Sequence, residues 1–312
     1  MMMKPLRNDY GVVIEARAHS DRLADLDTDA VKQAMKESGV VLFRGFDVSI
    51  ADFEQFTLKF AARMVPNRET YATRLNAKFR DREDVSGDSL TATVNLHKGP
   101  IGWHSEDCHL PTSPNILFLY CERPPLRGGA TLLTDGIEIF ASSEEQIRDY
   151  LTRHEFCHTW TFPIEMGALL LGVPPDQVET TANGLKDTLA EGQKLEIDIK
   201  EGMITVTFTE PMARTPRWST QKAFCTRVLL YRVLLETRLR EGAALSVIKP
   251  EPGDEIEDIF RVLDALAYLH AYHHHWKAQD LLMFDNTRFM HARAPIQDDN
   301  RRILCRMCIA NF

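Results

Sequence analysis

The sequence has no uninterrupted apolar run approaching the roughly 20 residues that a membrane-spanning helix needs. Its opening, MMMKPLRNDYG, lacks the apolar stretch of a secretory signal. No membrane partner is expected, and a cytoplasmic protein is the default expectation. Cysteine is scarce and scattered: Cys108, Cys121, Cys157, Cys225, Cys305 and Cys308 fall at irregular spacings, so reduced thiols are expected rather than a disulfide framework. Basic charge is not in excess. The 37 Lys and Arg against 45 Asp and Glu leave a formal charge of −8, which argues against a nucleic-acid partner, whose backbone is bound through clustered Lys and Arg. Repeats, low-complexity segments and Gly/Ser/Pro-rich linkers are also missing, so residues 1–312 read as a single domain. What is present is 44% hydrophobic residues, enough in a chain of 312 to bury a large core without disulfides or a partner subunit. A homo-oligomer is left open but is not required.

Hydrophobic periodicity gives an α/β opening and a β-rich remainder. Thr28 to Ser38 has helical spacing and leads into the strand-like run Val40 to Phe43, and helical spacing returns from Ile50 to Met64. Asn67 to Lys98 is polar and nearly aperiodic, apart from strand-like alternation over Thr91 to Leu96. Pro114 introduces a buried-strand run, Ile116 to Cys121, and Pro124-Pro125 and Gly128-Gly129 punctuate the path to a second, Thr131 to Thr134. Helical patterns over Ser142 to Leu151 and Pro174 to Gly192 are followed by the alternating strand Thr205 to Thr209. Leu229 to Arg240 and Ile256 to Tyr272 read as amphipathic helices, and strand texture resumes in Leu281 to Phe284 and Ile303 to Ile309. Strands joined by short turns, with helical inserts, predict a mainly β sandwich or barrel decorated by α insertions.

The densest chemical signal is Trp103-His104-Ser105-Glu106. On an extended segment the i, i+2 spacing points an imidazole and a carboxylate to one side, where they can share a metal. A third candidate, His291, follows a strand and is expected in the polar turn Asp285 to Arg293. Two histidines and one carboxylate occupy one face of an iron(II) coordination sphere and leave positions open, whereas a closed four-ligand set would be structural. Further on, strand alternation puts Arg302 and Arg306 on one face with Leu304 between them. Guanidiniums facing an apolar interior need anions, so the pair suggests a dicarboxylic co-substrate and an anionic substrate, against the plainer reading of two surface arginines on an edge strand.

Three other motifs read as structural. His154-Glu155-Phe156-Cys157-His158 spells the metalloprotease His-Glu-x-x-His, but the β-forming Trp160-Thr161-Phe162 follow, and in a strand the histidines would stand about 13 Å apart at ~3.3 Å per residue. His273-His274-His275 is expected at a helix end, where imidazoles suit the dipole. Cys305 and Cys308, three apart in a strand, fall on opposite faces and cannot share a zinc. Ala168 to Gly172 reads as a plain helix turn in preference to a lid.

Taken together, Phe43-Arg44-Gly45-Phe46, Trp103-His104-Ser105-Glu106, Gly128-Gly129-Ala130-Thr131-Leu132, His291 and Arg302 occur in the order that marks the taurine dioxygenase and clavaminate synthase-like superfamily, and over most of its length the chain resembles it. The resemblance implies a double-stranded β-helix (jelly roll) core, with the helical insertions between about residues 142 and 272 beside the substrate mouth. It implies Fe(II), 2-oxoglutarate and O2 as cofactor and co-substrates. His104, Glu106 and His291 would hold the iron, and Thr131 and Arg302 the far carboxylate of 2-oxoglutarate. Arg306 matches a position that binds the substrate's acidic group in taurine dioxygenase-like members. The expected reaction is hydroxylation of an unactivated C–H in a small anionic substrate, with release of succinate and CO2. Desaturation or cyclisation begins with the same hydrogen abstraction. A non-catalytic cupin-type metal- or ligand-binding protein would share the barrel but has no use for Thr131 and Arg302. Glu106 in place of the commoner Asp, and the absence of a polar side chain in Gly99-Pro100-Ile101-Gly102, point to amino-acid-like substrates more than to taurine, with sulfonates and phosphonates also in range. Related halogenases carry Ala or Gly at the carboxylate position, so Glu106 implies oxygenation and no chlorination.

Overall fold

The first helix, Thr28–Ser38, is started by Asp27, whose carboxylate accepts from the backbone N–H groups of Asp29 and Ala30 and so satisfies donors that a helix N-terminus leaves unmet. Gly39 ends it at φ 72°, a left-handed conformation that glycine takes without strain, and its N–H bonds back to Met35 O. The chain then enters Val40–Arg44, whose first four residues are all buried. A strand apolar at every position needs cover on both faces, and the sheet around it has that cover. The computed structural model describes every residue except 1, 2, 8, 9, 19, 68–81, 109, 231–245 and 250–253.

Two facing sheets make the core. The larger runs, in order, Met3–Pro5, Val12–Glu15, Val40–Arg44, Leu281–Asp285, Ile116–Arg123, Arg302–Ala310 and Ala61–Val65, with Ala92–Thr93 also paired to Arg302–Ala310. The smaller runs Tyr272–His274, Thr131–Asp135, Phe289–Arg293 and Ile101–His104. Pairing is antiparallel except between Val12–Glu15 and Val40–Arg44. Between the sheets lie Leu117, Leu119, Phe284 and Ile303 from the larger and Leu133 and Phe289 from the smaller. Behind the larger sheet, Phe43, Phe118, Met283 and Leu304 pack on Val31, Met35 and Phe53 of the N-terminal helices. Behind the smaller, Leu132, Met290 and Ala292 pack on Ile256, Phe260 and Leu263 of the helix Asp254–Leu269. This layering is the mainly β, jelly-roll core expected. A third sheet, Lys194–Lys200, Met203–Pro211, Glu155–Pro163 and Ser246–Lys249, stands apart from both.

Several elements differ from the sequence reading. The helix from Ile50 stops at Leu58, and Ala61–Val65 is a strand, because its backbone is recruited as a ladder partner by Met307–Ala310. Gly136–Ser142 and Glu145–Arg153 are two helices where one was expected over Ser142 to Leu151. The helix expected to reach Tyr272 ends at Leu269, and Tyr272–His274 pairs with Thr131–Leu133 as a strand, so the histidine tract is not a helix end. Ala168 lies in the helix Ile164–Leu171, as read. The helix expected over Leu229 to Arg240 falls, from residue 231 onward, outside the described residues.

Gly39 also permits a close approach: a Cβ there would collide with the ring of Phe289, two residues before His291. With the positive φ added, Gly39→Ala is expected to cost roughly 2 kcal/mol and lower the melting temperature by several degrees. An unchanged melt would contradict this packing.

Candidate metal centre and co-substrate cavity

The register of the smaller sheet assembles the site. Phe289–Arg293 lies between Thr131–Asp135 and Ile101–His104 with His291 directly opposite His104, so both imidazoles emerge on one face, ring centroids 4.1 Å apart. The strand Ile101–His104 ends at the first histidine, and the chain turns through Asp107 at φ 50°. The His-x-Glu pair therefore straddles a strand end rather than lying in a strand. Glu106 Oε2 stands 3.5 Å from His104 Nε2 and 3.6 Å from His291 Nε2. One ligand atom from each of the three side chains lies within 4.8 Å of the others.

One side chain ties the two ligand-bearing segments together. Buried Asn286, on the turn into His291's strand, accepts at Oδ1 from Glu106 N–H (2.8 Å) and donates from Nδ2 to Glu106 O (2.8 Å) and Pro114 O (2.9 Å). Its carbonyl accepts from Ser105 Oγ at 2.5 Å. Both peptide groups of the carboxylate ligand are thus held from the histidine's side of the site.

Protonation suits a cation. His104 Nδ1 lies 2.8 Å from Gly102 O, and because a carbonyl only accepts, Nδ1 carries a proton and Nε2 is the nitrogen turned toward Glu106. Burial, with His104 beside it, pushes the His291 imidazole well below its ordinary range and keeps it neutral. Burial works to raise Glu106, but Arg82 first, then His104 and Arg227, hold its carboxyl well below the usual carboxylate range. Arg82 Nη2 takes Glu106 Oε1 at 3.2 Å, leaving Oε2 for the histidines. Two imidazoles, each with a ring nitrogen turned to the site, and an ionised carboxylate are the donor set of a divalent ion held on one face, so these residues fit iron(II).

The cavity beside them is also lined by Arg82, Thr131, Arg293 and Arg301. The Arg293 guanidinium is spent on the backbone carbonyls of Asn95, His97 and Gly99. Arg301 is different: its Nε donates to Gly129 O at 3.2 Å, and neither Nη has a partner among the described residues. Desolvation and neighbouring Arg293 push its guanidinium down to about 9, as befits a partly buried cation short of an anion. Thr131 Oγ1 faces the same cavity and accepts from Trp276 Nε1 at 3.1 Å.

Arg302 and Arg306 are not in this cavity, which corrects the sequence reading of both. They do share a face, but it is the face turned toward Leu304, Cys308 and the N-terminal helices, whereas Arg301, Ile303 and Cys305 face the smaller sheet. Arg302 is paired with Glu122 (2.5 Å) and Glu83 (2.6 Å). Arg306 donates to Thr91 Oγ1 (2.6 Å) and pairs with Glu54 (3.3 Å). A sheet covered on both faces has two interiors, and alternation alone does not say which holds the site. His154 caps a helix end and Glu155–Pro163 is a strand, so the His-Glu-x-x-His helix does not form. Cys305 and Cys308 lie in different cores. Arg82, Asn286 and Arg301 were missed. The doublet Arg301-Arg302 carried a signal but not its parity.

A jelly roll with two histidines and a carboxylate converging beside an anion-seeking cavity defines an oxygenase-type centre. The model for "Taurine catabolism dioxygenase TauD, TfdA family" matches residues 3–308, and the chain belongs to this family. It is a 2-oxoglutarate-dependent dioxygenase, which uses Fe(II), 2-oxoglutarate and O2. A clavaminate synthase-like protein of Arabidopsis thaliana is 28% identical over 294 residues, covering 88% of this chain and 82% of its own. Pentalenolactone F synthase of Streptomyces avermitilis is 23% identical over 303 residues, covering 94% and 89%. Among solved structures, a taurine dioxygenase from Burkholderia xenovorans superposes with a TM-score of 0.60 over 99% of this chain and 89% of its own, at 16% identity, a likeness of fold.

Asn286→Ala keeps all three ligand side chains but frees the Glu106 backbone. Metal affinity, measured by Co(II) titration, is expected to fall about tenfold to a hundredfold. Wild-type affinity in this variant would show that Asn286 does not position the site.

Proposed function

We propose that the enzyme hydroxylates an unactivated C–H of a small anionic substrate (amino-acid-like, sulfonate or phosphonate), with release of succinate and CO2. His104, Glu106 and His291 hold Fe(II), which supplies the chemistry that couples O2 reduction and 2-oxoglutarate decarboxylation to oxidation of the substrate. Arg301 and Thr131 seat the distal carboxylate of 2-oxoglutarate. The observation that carries this reading is the set of unspent donors lining one cavity, the two Nη groups of the partly buried Arg301 guanidinium and the Thr131 hydroxyl, with His104, Glu106 and His291 converging on the same cavity. A cation withdrawn from water without a counter-charge is costly, and a planar carboxylate matches the guanidinium's fork.

The rest of the chain's work is orientation and charge. Arg82 holds one oxygen of Glu106 so that the other faces the histidines. Arg82, Arg293 and Arg301 against the single carboxylate of Glu106 leave the cavity positive, which supports a substrate bearing an acidic group. Glu106 would supply a carboxylate ligand where related halogenases carry Ala or Gly, which favours oxygenation over halogenation.

Arg301→Met is expected to weaken 2-oxoglutarate binding by roughly tenfold to a hundredfold, the loss of a charge-assisted pair. Arg302→Met, on the other face, is expected to change it by less than about twofold. The opposite ranking would return the role to Arg302. Anaerobic addition of Fe(II) and 2-oxoglutarate is expected to give a lilac absorption band that His291→Ala loses, whereas a cupin-type binder would give none. Turnover under 18O2 against a panel of amino acids, sulfonates and phosphonates then separates outcomes. One label in the product is expected for hydroxylation, and loss of two hydrogens without label would instead indicate desaturation or cyclisation.

A further inference from the structure

Thr131 opens the strand Thr131–Asp135 and is buried beside Arg301 at the cavity wall. Its hydroxyl has one proton to give and two lone pairs to offer. Buried Trp276 donates its indole Nε1–H to Thr131 Oγ1 at 3.1 Å, and because an indole N–H cannot accept, the direction of this bond is fixed. The threonine proton therefore has to point elsewhere, and no group among the described residues accepts it. A hydroxyl free to rotate can serve as donor or acceptor. This one is left as a donor.

The indole is itself held from behind. His274 lies directly opposite Thr131 in the neighbouring strand, and its ring meets Trp276 edge-on at 4.3 Å and 90°. His274 Nε2 is 3.4 Å from Asp280 Oδ2 and its Nδ1 is 3.2 Å from Tyr272 Oη, while Arg44 grips Asp280 at 2.8 and 2.6 Å. The buried member of the histidine tract thus has a place in a packed chain that ends at the cavity wall.

We infer that Trp276 is a positioning residue for the co-substrate: by occupying Thr131 Oγ1 it commits the hydroxyl to donate to the distal carboxylate of a 2-oxo dicarboxylic acid. The inference rests on the reading of Thr131 and Arg301 as that carboxylate's seat. It makes the indole N–H a selectivity element for dicarboxylic over monocarboxylic 2-oxo acids, without contact to either.

The test is calorimetric binding of 2-oxoglutarate and of 2-oxobutyrate, which has the same 2-oxo acid head and no distal carboxylate, to the Mn(II)-loaded enzyme. Trp276→Phe, which removes the N–H and keeps an aromatic ring, is expected to weaken 2-oxoglutarate about threefold to tenfold and leave 2-oxobutyrate unchanged. In a Thr131→Val background the same substitution is expected to add nothing. If Thr131→Val alone leaves 2-oxoglutarate affinity intact, the seat itself is misassigned. If Thr131→Val weakens binding but Trp276→Phe does not, or Trp276→Phe weakens both acids alike, or the two effects multiply, the positioning role is overturned. Should Trp276→Phe fold poorly, the wild type decides: in the Zn(II)-loaded enzyme the Trp276 indole N–H resonance is expected to shift with 2-oxoglutarate and not with 2-oxobutyrate, and equal shifts or none would overturn the role.

Discussion

The pairing of His291 with His104 across two antiparallel strands is the constraint on which the rest of the site depends. Side chains alternate with a period of two, so a slip of one residue would turn His291 outward and put Met290 or Ala292 in its place. The register is fixed from several sides. Phe289 packs under the first helix at Gly39, while Met290 and Ala292 fill the opposite core. At the strand's start, Asp135 caps the helix Gly136–Ser142 through Ile137 N–H and takes Arg288 at 3.0 and 2.5 Å. Asn286 then carries the register across to Glu106. A network of buried polar groups bonded between segments distant in the chain has few alternative arrangements.

Charge is arranged in the same spirit. The cavity wall holds three guanidiniums, and an unpaired buried charge is expensive. One is absorbed by backbone carbonyls and one by the carboxylate ligand, and the third, Arg301, is left for an anion. The asymmetry separates structural cations from a binding one more clearly than burial does, since Arg306 is more buried than Arg301 yet donates to Thr91 and pairs with Glu54.

Much of this was legible in the sequence. The first helix, the strands at Val40, Ile116, Thr131 and Leu281, and the grouping of His104, Glu106 and His291 follow from periodicity, spacing and resemblance. What was not legible has a common cause in tertiary context. Ala61–Val65 and Tyr272–His274 are short strands made by their ladder partners and not by their own composition. Arg301 and Arg302 are neighbours of opposite parity, and only the covering of the larger sheet by helices tells which side faces the metal ligands. Asn286 carries no signal of its own in the sequence, because its role is a set of bonds to segments distant in the chain.

The most direct measurement is a crystal structure with Mn(II) and N-oxalylglycine, an unreactive analogue of 2-oxoglutarate. One anomalous peak is expected bounded by His104, Glu106 and His291, with the analogue's distal carboxylate against Arg301 and Thr131. A metal elsewhere, or a carboxylate held by Arg302, would contradict the assignment.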